Sequence, residues 1–196
     1  MSRLILALMI AAALGSCAKR DSSAPADLDN ACAILAERPH YVRAFRQAKR
    51  RWGVEPAVLM AMIYQESKFI SDNRPPHQFV LGVIPTGRQS SAFGYSQALD
   101  GTWGEYVVSR AAANGARRDD MRHAADFMGW YMAQSTRDLG IHMNDVRNQY
   151  LAYHEGRGGF RRQSYRSKGW LMRVADEIET RAALYDTQLA RCRPRL

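Results

Sequence analysis

The segment that begins at Pro56 constrains the fold most, because it predicts an apolar helix that ends on a carboxylate. Pro56 suits a first helical turn, and apolar side chains then recur at helical spacing at Val58, Leu59, Met62 and Ile63. Glu66 follows Ile63 by three residues and Met62 by four, so it projects from the apolar face of the helix. A carboxyl group in such surroundings keeps its proton to a higher pH than a solvated one.

A protonated Glu66 would have a chemical use. Cleavage of a glycosidic bond needs a general acid that still holds its proton near neutral pH. The alternative is an exposed glutamate at the frayed end of a helix, which would have no catalytic role. The helical pattern alone leaves both interpretations open.

The rest of the chain is also predicted to be mainly α. Helical patterns cover residues 37–51, 119–139, 144–154 and 168–190, and a further helix begins at Asp100 or Thr102. The glycines at 156–159 are expected to end the helix that reaches His154. Residues 70–93 are rich in proline and glycine and predict one long loop, with room for a small hairpin around Phe79–Ile84.

The N-terminus predicts export and a lipid anchor. A basic start precedes an apolar run from Leu4 to Leu14, which is too short to span a bilayer but has the length of a signal-peptide core. The sequence Leu14-Gly15-Ser16-Cys17 resembles a bacterial lipobox, where cleavage precedes a cysteine that then carries acyl chains. We therefore expect a signal peptide over 1–16, lipidated Cys17 with a flexible tether over 17–31, and a folded domain over 32–196. An ordinary cleaved signal with a chance cysteine is the alternative.

Charge and cysteine content narrow the possible partners. The chain has 28 basic and 19 acidic residues, a net charge of +9, which favours nucleic acid, anionic lipid or an acidic polymer such as a cell wall. No basic recognition helix or aromatic RNA-binding signature is present, so no nucleic-acid partner is expected. Once Cys17 is acylated, Cys32 and Cys192 remain and could pair in an oxidising compartment or stay as thiols. No residues show metal-ligand spacing, and neither a metal nor a cofactor is expected.

Three segments carry a family resemblance in their order along the chain. They are Glu66-Ser67, then Gly94-Tyr95-Ser96-Gln97, then Ala152-Tyr153-His154-Glu155-Gly156. This ordered set resembles the signature of lytic transglycosylases with a goose-lysozyme-like SLT domain, over roughly residues 40–160. The resemblance implies a lysozyme-like, α-rich fold. It also implies cleavage of the bond between N-acetylmuramic acid (MurNAc) and N-acetylglucosamine (GlcNAc), with a 1,6-anhydro-MurNAc product.

The resemblance also implies roles for individual residues. Glu66 matches the single catalytic acid/base, and Ser67 matches a residue that positions the substrate. Gly94 would let the backbone approach a sugar closely, and the Gln97 amide would hydrogen-bond it. Tyr153 matches a tyrosine whose hydroxyl faces the catalytic carboxyl.

Other positions in these segments are less defined. His154 stands where the common motif has asparagine, so its role as a substrate contact is open. Tyr95 or Phe93 could stack on sugar rings, whereas Trp103, Trp130, Tyr131 and Trp170 are expected in the core. Four other residues could supply a second carboxylate, but no family motif marks any of them as catalytic: Asp72, Asp100, Glu105 and Glu155.

Two alternatives to a transglycosylase remain. One is a muramidase-type hydrolase, and the other is a peptidoglycan-binding lipoprotein that lacks activity. All three interpretations predict glycan strands as the partner and a membrane contact through the lipid anchor. We expect a monomer at the periplasmic face of the outer membrane.

Overall fold

The computed structural model describes residues 22–109 and 115–192. The described part contains seven α-helices and one two-stranded sheet, which confirms a mainly α fold with a small hairpin. The helices are α1 (Ala31–Glu37), α2 (Pro39–Trp52), α3 (Pro56–Ser67), α4 (Asp100–Val108), α5 (Met121–Leu139), α6 (Val146–Arg161) and α7 (Gly169–Cys192). The strands are β1 (His77–Val80) and β2 (Ile84–Arg88), and a 3-10 turn spans Ser164–Ser167. The predicted signal peptide and the predicted lipidation site at Cys17 lie outside the described residues.

Helix α3 is the centre of the fold. Every residue from Pro56 to Ile63 is buried, because α3 packs against α7, α2 and α5. A helix that is apolar on all sides is typical of a core position. Glu66 therefore sits where this helix leaves the core.

Helix α6 consists of two helical segments that meet at Gly156. The helix was expected to stop at the glycines after His154, and the first segment does end there, because Gly156 has the non-helical φ of +72° and ψ of 156°. Glycine adopts this conformation without strain. A second helical segment, which the sequence did not predict, then runs to Arg161.

The segment before α1 is held against the domain. The Ala26 amide donates to the Glu37 carboxylate at 2.9 Å, the Leu28 carbonyl accepts from Tyr185, and Arg181 pairs with Asp29 at 2.8 Å. A flexible tether that extends to residue 31 therefore does not match the structure, because the contacts with the domain already begin at Ser23, where Arg38 donates to the side chain.

The two ends of the described domain are joined. Cys32 in α1 and Cys192 at the end of α7 form a disulfide. Beside it, the Ala31 amide donates to the Gln188 side chain at 2.7 Å.

The hairpin projects from the helical domain. Strands β1 and β2 are antiparallel, with His77 opposite Arg88 and Val80 opposite Ile84. Every strand residue is exposed. In the part of the chain that the structure describes, no helix combines the length and apolarity needed to cross a membrane.

Candidate active site

Glu66 lies in the last turn of α3, next to Tyr150 of α6. Its side chain is partly exposed, yet burial of the carboxyl raises its pKa to about 8. A hydrogen bond with Tyr150 and the charge of Lys68 lower the pKa but do not cancel that effect. At neutral pH most molecules therefore hold a protonated carboxyl at this position, as the apolar pattern of α3 predicts.

The backbone after Ser67 turns sharply, which fixes where α3 ends. Lys68 and Phe69 both adopt left-handed conformations, with φ of 52° and 62°. Such values are strained for non-glycine residues and persist only where packing holds them. Phe69 is fully buried and supplies that packing.

Two tyrosines of α6 face Glu66. Tyr150 and Tyr153 are three residues apart and share one face of the helix. Burial raises the pKa of both phenols, and the nearby Glu66 raises it further, so both stay protonated donors. The sequence motif identified Tyr153 but missed Tyr150, although its spacing of three residues from Tyr153 was a usable signal.

The two tyrosines have different partners. The Tyr153 hydroxyl donates to the Ser96 carbonyl at 2.6 Å, whereas Tyr150 makes the hydrogen bond with the Glu66 carboxyl. Tyr153 still lies close enough to Glu66 for the carboxyl to raise the pKa of its phenol, so the role expected for Tyr153 stays a prediction. Its hydrogen bond with Ser96 also joins α6 to the Gly94–Gln97 segment.

Ser67 is a structural residue in this site. It is 2% exposed, and its hydroxyl lies 2.8 Å from the Tyr95 carbonyl and 3.2 Å from the Ile63 carbonyl. It therefore does not contact substrate as the resemblance implies. It ties the end of α3 to the Gly94–Gln97 segment.

The protein backbone itself requires a glycine at position 94. Its φ is +79°, and a Cβ atom would lie 2.2 Å from the Arg118 carbonyl oxygen. Its amide donates to the Asn73 carbonyl at 2.9 Å. The close approach expected at this glycine is therefore with the chain itself.

Gln97 and Asn73 connect the second motif to Glu66. The Gln97 amide nitrogen donates to the carbonyls of Asn73 at 3.0 Å and Gly94 at 2.8 Å. The Asn73 side chain in turn donates to the Glu66 backbone carbonyl at 3.4 Å. Because these bonds use both amide hydrogens of Gln97, its remaining polar function for a ligand is the acceptor oxygen.

Which aromatic residues are buried and which are exposed differs in part from the expectation based on the sequence. Tyr95 is 4% exposed and its hydroxyl lies 3.1 Å from that of Tyr41, so it cannot stack on a sugar. Phe93 is partly exposed, and the Arg74 guanidinium lies 4.0 Å from its ring centre. Trp130 and Tyr131 are buried in the core as expected, and Trp103 is partly buried and packs against it.

Trp170 is an exception among the tryptophans. Half of its surface is exposed, and its ring lies edge-on to that of His154, 5.3 Å between centres. The expectation of a core position is wrong, because Trp170 lies at the exposed start of α7.

Glu155 is the second carboxylate near the site. Its side chain is 4% exposed, and burial alone would raise its pKa. Hydrogen bonds from Lys168, Ser164 and His154 outweigh burial and lower the pKa to about 2. Lys168 lies 2.7 Å away and His154 lies 3.1 Å away, so this carboxylate is ionised and held by protein groups.

A groove runs along these segments. Its lining includes Gln97, Leu99, Thr102, Tyr153 and His154. Gln97 comes from the second motif, and Tyr153, His154 and Glu155 come from the third, so the groove brings the two motifs together. Glu66 does not line this groove, but its charge acts on Tyr153, which does. Among the described residues, no three acidic, histidine or cysteine side chains are grouped to hold a metal ion.

Comparison with known proteins adds the family. A profile described as "Transglycosylase SLT domain" matches residues 5–192. A search of curated proteins finds no match. Since the profile spans nearly the whole chain, the protein belongs to the transglycosylase SLT domain family, whose general activity is lytic transglycosylation of peptidoglycan glycan strands.

Proposed function

We propose that the protein cleaves the MurNAc–GlcNAc glycosidic bond of peptidoglycan and releases 1,6-anhydro-MurNAc ends, with Glu66 as the single acid/base. The observation that carries this proposal is the protonated Glu66 carboxyl at the end of a buried helix, beside Tyr150 and Tyr153. An acid with a pKa of about 8 can donate a proton at neutral pH.

The reaction needs two proton transfers at one carboxyl. Glu66 protonates the glycosidic oxygen as its bond to C1 of MurNAc breaks. The resulting carboxylate then takes the proton of the MurNAc 6-hydroxyl as that oxygen bonds to C1. The proton count balances and no water is consumed.

Neighbouring groups support both states of the acid. Burial favours the protonated form that starts the reaction. The Tyr150 hydroxyl and the Lys68 charge favour the carboxylate that forms midway, since both lower the pKa of Glu66. The two influences together keep the acid near the pH at which it must cycle.

A mechanism with one carboxylate also fits the state of Glu155. Glycosidases with two carboxylates need the second one as a nucleophile or as a base toward water. Glu155 is engaged by Lys168, Ser164 and His154, and its lowered pKa makes it a weak base. The substrate's own 6-hydroxyl is therefore the nucleophile that we favour.

Digestion of purified sacculi with analysis of the soluble products by mass spectrometry tests this proposal. We expect 1,6-anhydro-muropeptides from the wild-type protein and none from Glu66→Gln. Glu179→Gln, an exposed carboxyl on α7, is the matched control and should behave as wild type. Reducing-end MurNAc would identify a hydrolase, and sacculus binding without any soluble product would identify a non-catalytic protein.

We also propose that the chain is anchored by lipid at Cys17 on the periplasmic face of the outer membrane. The lipobox-like sequence supports the anchor, and the Cys32–Cys192 disulfide fits an oxidising compartment. Membrane fractionation and mass spectrometry of Cys17→Ala test the anchor. The variant should leave the membrane fraction, and mass spectrometry should find no acyl chains on it. Retention of residues 1–16 on the mature wild-type protein would contradict this proposal.

A further inference from the structure

The hairpin of β1 and β2 carries most of the exposed apolar surface in the described part of the chain. Five large apolar side chains lie within six residues, with exposed fractions of 55% for Phe79, 50% for Val80, 86% for Leu81, 75% for Val83 and 54% for Ile84. Contiguous apolar surface of this kind marks an interaction site in soluble proteins. The proposed reaction does not use it.

The turn of the hairpin places a leucine where a polar residue or glycine is usual. Leu81 and Gly82 have φ of 54° and 74°, and the Val83 amide bonds to the Val80 carbonyl. This geometry is that of a type I′ turn, whose first central position favours asparagine, aspartate or glycine. A leucine there is strained, which indicates that an apolar side chain at the tip has a use.

The segment that forms the hairpin and its base is basic, and the nearest acidic residues along the chain are Asp72 and Asp100 on either side of it. Residues 73–99 contain Arg74, Arg88 and His77 but no aspartate or glutamate. His77 lies opposite Arg88 in the register, four residues along β2 from Ile84, or about 13 Å at the usual rise of a strand. An aliphatic tip with cations at that distance matches the boundary between acyl chains and anionic headgroups, where amphipathic segments insert about 5–10 Å.

The N-terminal segment and the segment that leads to the hairpin both lie near the C-terminal end of α3. Arg181 donates to the Leu28 carbonyl, next to the N-terminal segment, and its guanidinium lies 3.5 Å from the centre of the Tyr64 ring. On the hairpin side, the Asn73 side chain binds the Glu66 carbonyl. From Cys17 to Ser23, which already contacts the domain, the chain spans about 20 Å when extended, so the anchored domain stays close to the bilayer surface.

We propose that the hairpin tip inserts into the surface of an anionic phospholipid bilayer and so orients the domain, with its groove, relative to the membrane. This proposal goes beyond the reaction and rests only on the lipid anchor proposed at Cys17. Anionic lipid fits better than a protein partner, because aliphatic residues at the tip and cations at the base match the two layers of a bilayer surface. Insertion adds a second attachment to the acyl chains, and it fixes an orientation that a tether alone leaves free.

A tryptophan placed at the tip tests insertion locally. Full-length Leu81→Trp and Val108→Trp proteins are each reconstituted in phosphatidylglycerol vesicles that contain lipids brominated at shallow acyl positions. Val108 is the matched control, since it is 88% exposed on α4, away from the hairpin. After subtraction of the wild-type emission, we expect a blue-shifted, quenched signal from Trp at position 81 and neither change at position 108.

Further measurements distinguish an anionic bilayer from other partners of the hairpin tip. Phosphatidylcholine vesicles, or Arg74→Gln with Arg88→Gln, should weaken the quenching at position 81 severalfold; equal quenching would overturn the role of anionic headgroups. No quenching at position 81 overturns insertion. A blue shift without vesicles, together with a dimer in sedimentation, would assign the tip to a second copy of the chain and also overturn it. Because Glu66→Gln should insert normally and lytic activity is assayed on lipid-free sacculi, failure here leaves the proposed reaction standing.

Discussion

Glu66 and Glu155 are two partly buried glutamates whose surroundings shift their pKa values in opposite directions. Burial dominates at Glu66 and raises its pKa to about 8. At Glu155 burial acts in the same direction, but the ammonium of Lys168 and hydrogen bonds from Ser164 and His154 lower the pKa to about 2. A carboxyl near the site is therefore an acid or a fixed charge according to the donors that reach it.

The difference follows from where each glutamate lies in the fold. Glu66 lies at the end of the buried helix α3 beside the phenols of Tyr150 and Tyr153, and the charge of Lys68 lowers its pKa less than burial raises it. Glu155 precedes the kink at Gly156 and joins α6 to the 3-10 turn and α7 through Ser164 and Lys168. Chemistry is expected from the first position and stability from the second.

The largest expected difference in activity is the one between Glu66→Gln and Glu155→Gln, in which each carboxyl is replaced by an amide. General acid catalysis contributes about 10²–10⁴-fold in rate, so Glu66→Gln should lower kcat by about that factor. Glu155→Gln should retain most of kcat at temperatures where it is folded. Release of muropeptides per folded molecule measures both, and equal losses in the two variants would remove the distinction between the two glutamates.

Glu155→Gln should instead destabilise the fold. The change removes the charge that pairs with Lys168, which is 39% exposed and so keeps part of its hydration. We expect the free energy of unfolding to fall by about 1–3 kcal/mol, measured by urea denaturation at pH 7. The double variant with Lys168→Met should recover part of the loss; an additive loss would show that the ion pair is not its cause.

Glu66→Gln should instead raise the free energy of unfolding, by an amount that depends on pH. Between its ordinary pKa of 4.5 and the folded value of about 8, Glu66 binds a proton in the folded state but not in the unfolded state. Stability of the wild type therefore falls as pH rises through this window. The variant lacks that dependence and should gain about 1–3 kcal/mol at pH 7. An advantage of the variant that is the same at pH 4 and pH 8 would contradict the raised pKa.

The raised pKa of Glu66 could be predicted from the sequence because the signals for it are local. The spacing of Met62, Ile63 and Glu66 depends only on helical geometry, and the burial of α3 on every side strengthens the effect. Proline and glycine likewise predicted the irregular segment and its hairpin. These features needed no knowledge of which elements meet in space.

Residues that face the protein interior were predicted less well. Ser67, Gly94 and Tyr95 fit a motif associated with substrate, yet their contacts are with the chain itself. Tyr150 was missed because the motif contains only Tyr153, although the spacing of three residues places both tyrosines on one face of the helix. The break of α6 at Gly156, by contrast, follows from the glycine itself and was predicted.

Tyr150→Phe should have a smaller effect, and it tests whether the Tyr150 hydroxyl lowers the pKa of Glu66. Loss of the hydrogen bond removes one influence that lowers the pKa of the acid, so the pKa should rise further. The alkaline limb of the pH profile of kcat/KM should move to higher pH, and kcat should fall about tenfold because the intermediate carboxylate loses a donor. A profile that is unchanged, or that moves to lower pH, would assign Tyr150 to packing alone.

Trp170→Ala should give the smallest effect, and it tests whether the groove extends beyond the acid. The His154 ring lies 6.3 Å from that of Tyr150 and 5.3 Å from that of Trp170, so Trp170 is within the length of a short oligosaccharide from Glu66. Contact between an exposed indole and a sugar should contribute about 0.5–1.5 kcal/mol by analogy with aromatic pairs, which corresponds to a KM about 2- to 12-fold higher in the alanine variant. Since Trp170 is remote from the bond that breaks, kcat should not change, and Trp170→Phe should keep KM near the wild-type value. Leu184→Ala, at a 45% exposed position on the same helix, is the control. A matching rise in KM for the control, or a loss confined to kcat, would remove Trp170 from the substrate path and limit the site to the groove between Gln97 and His154.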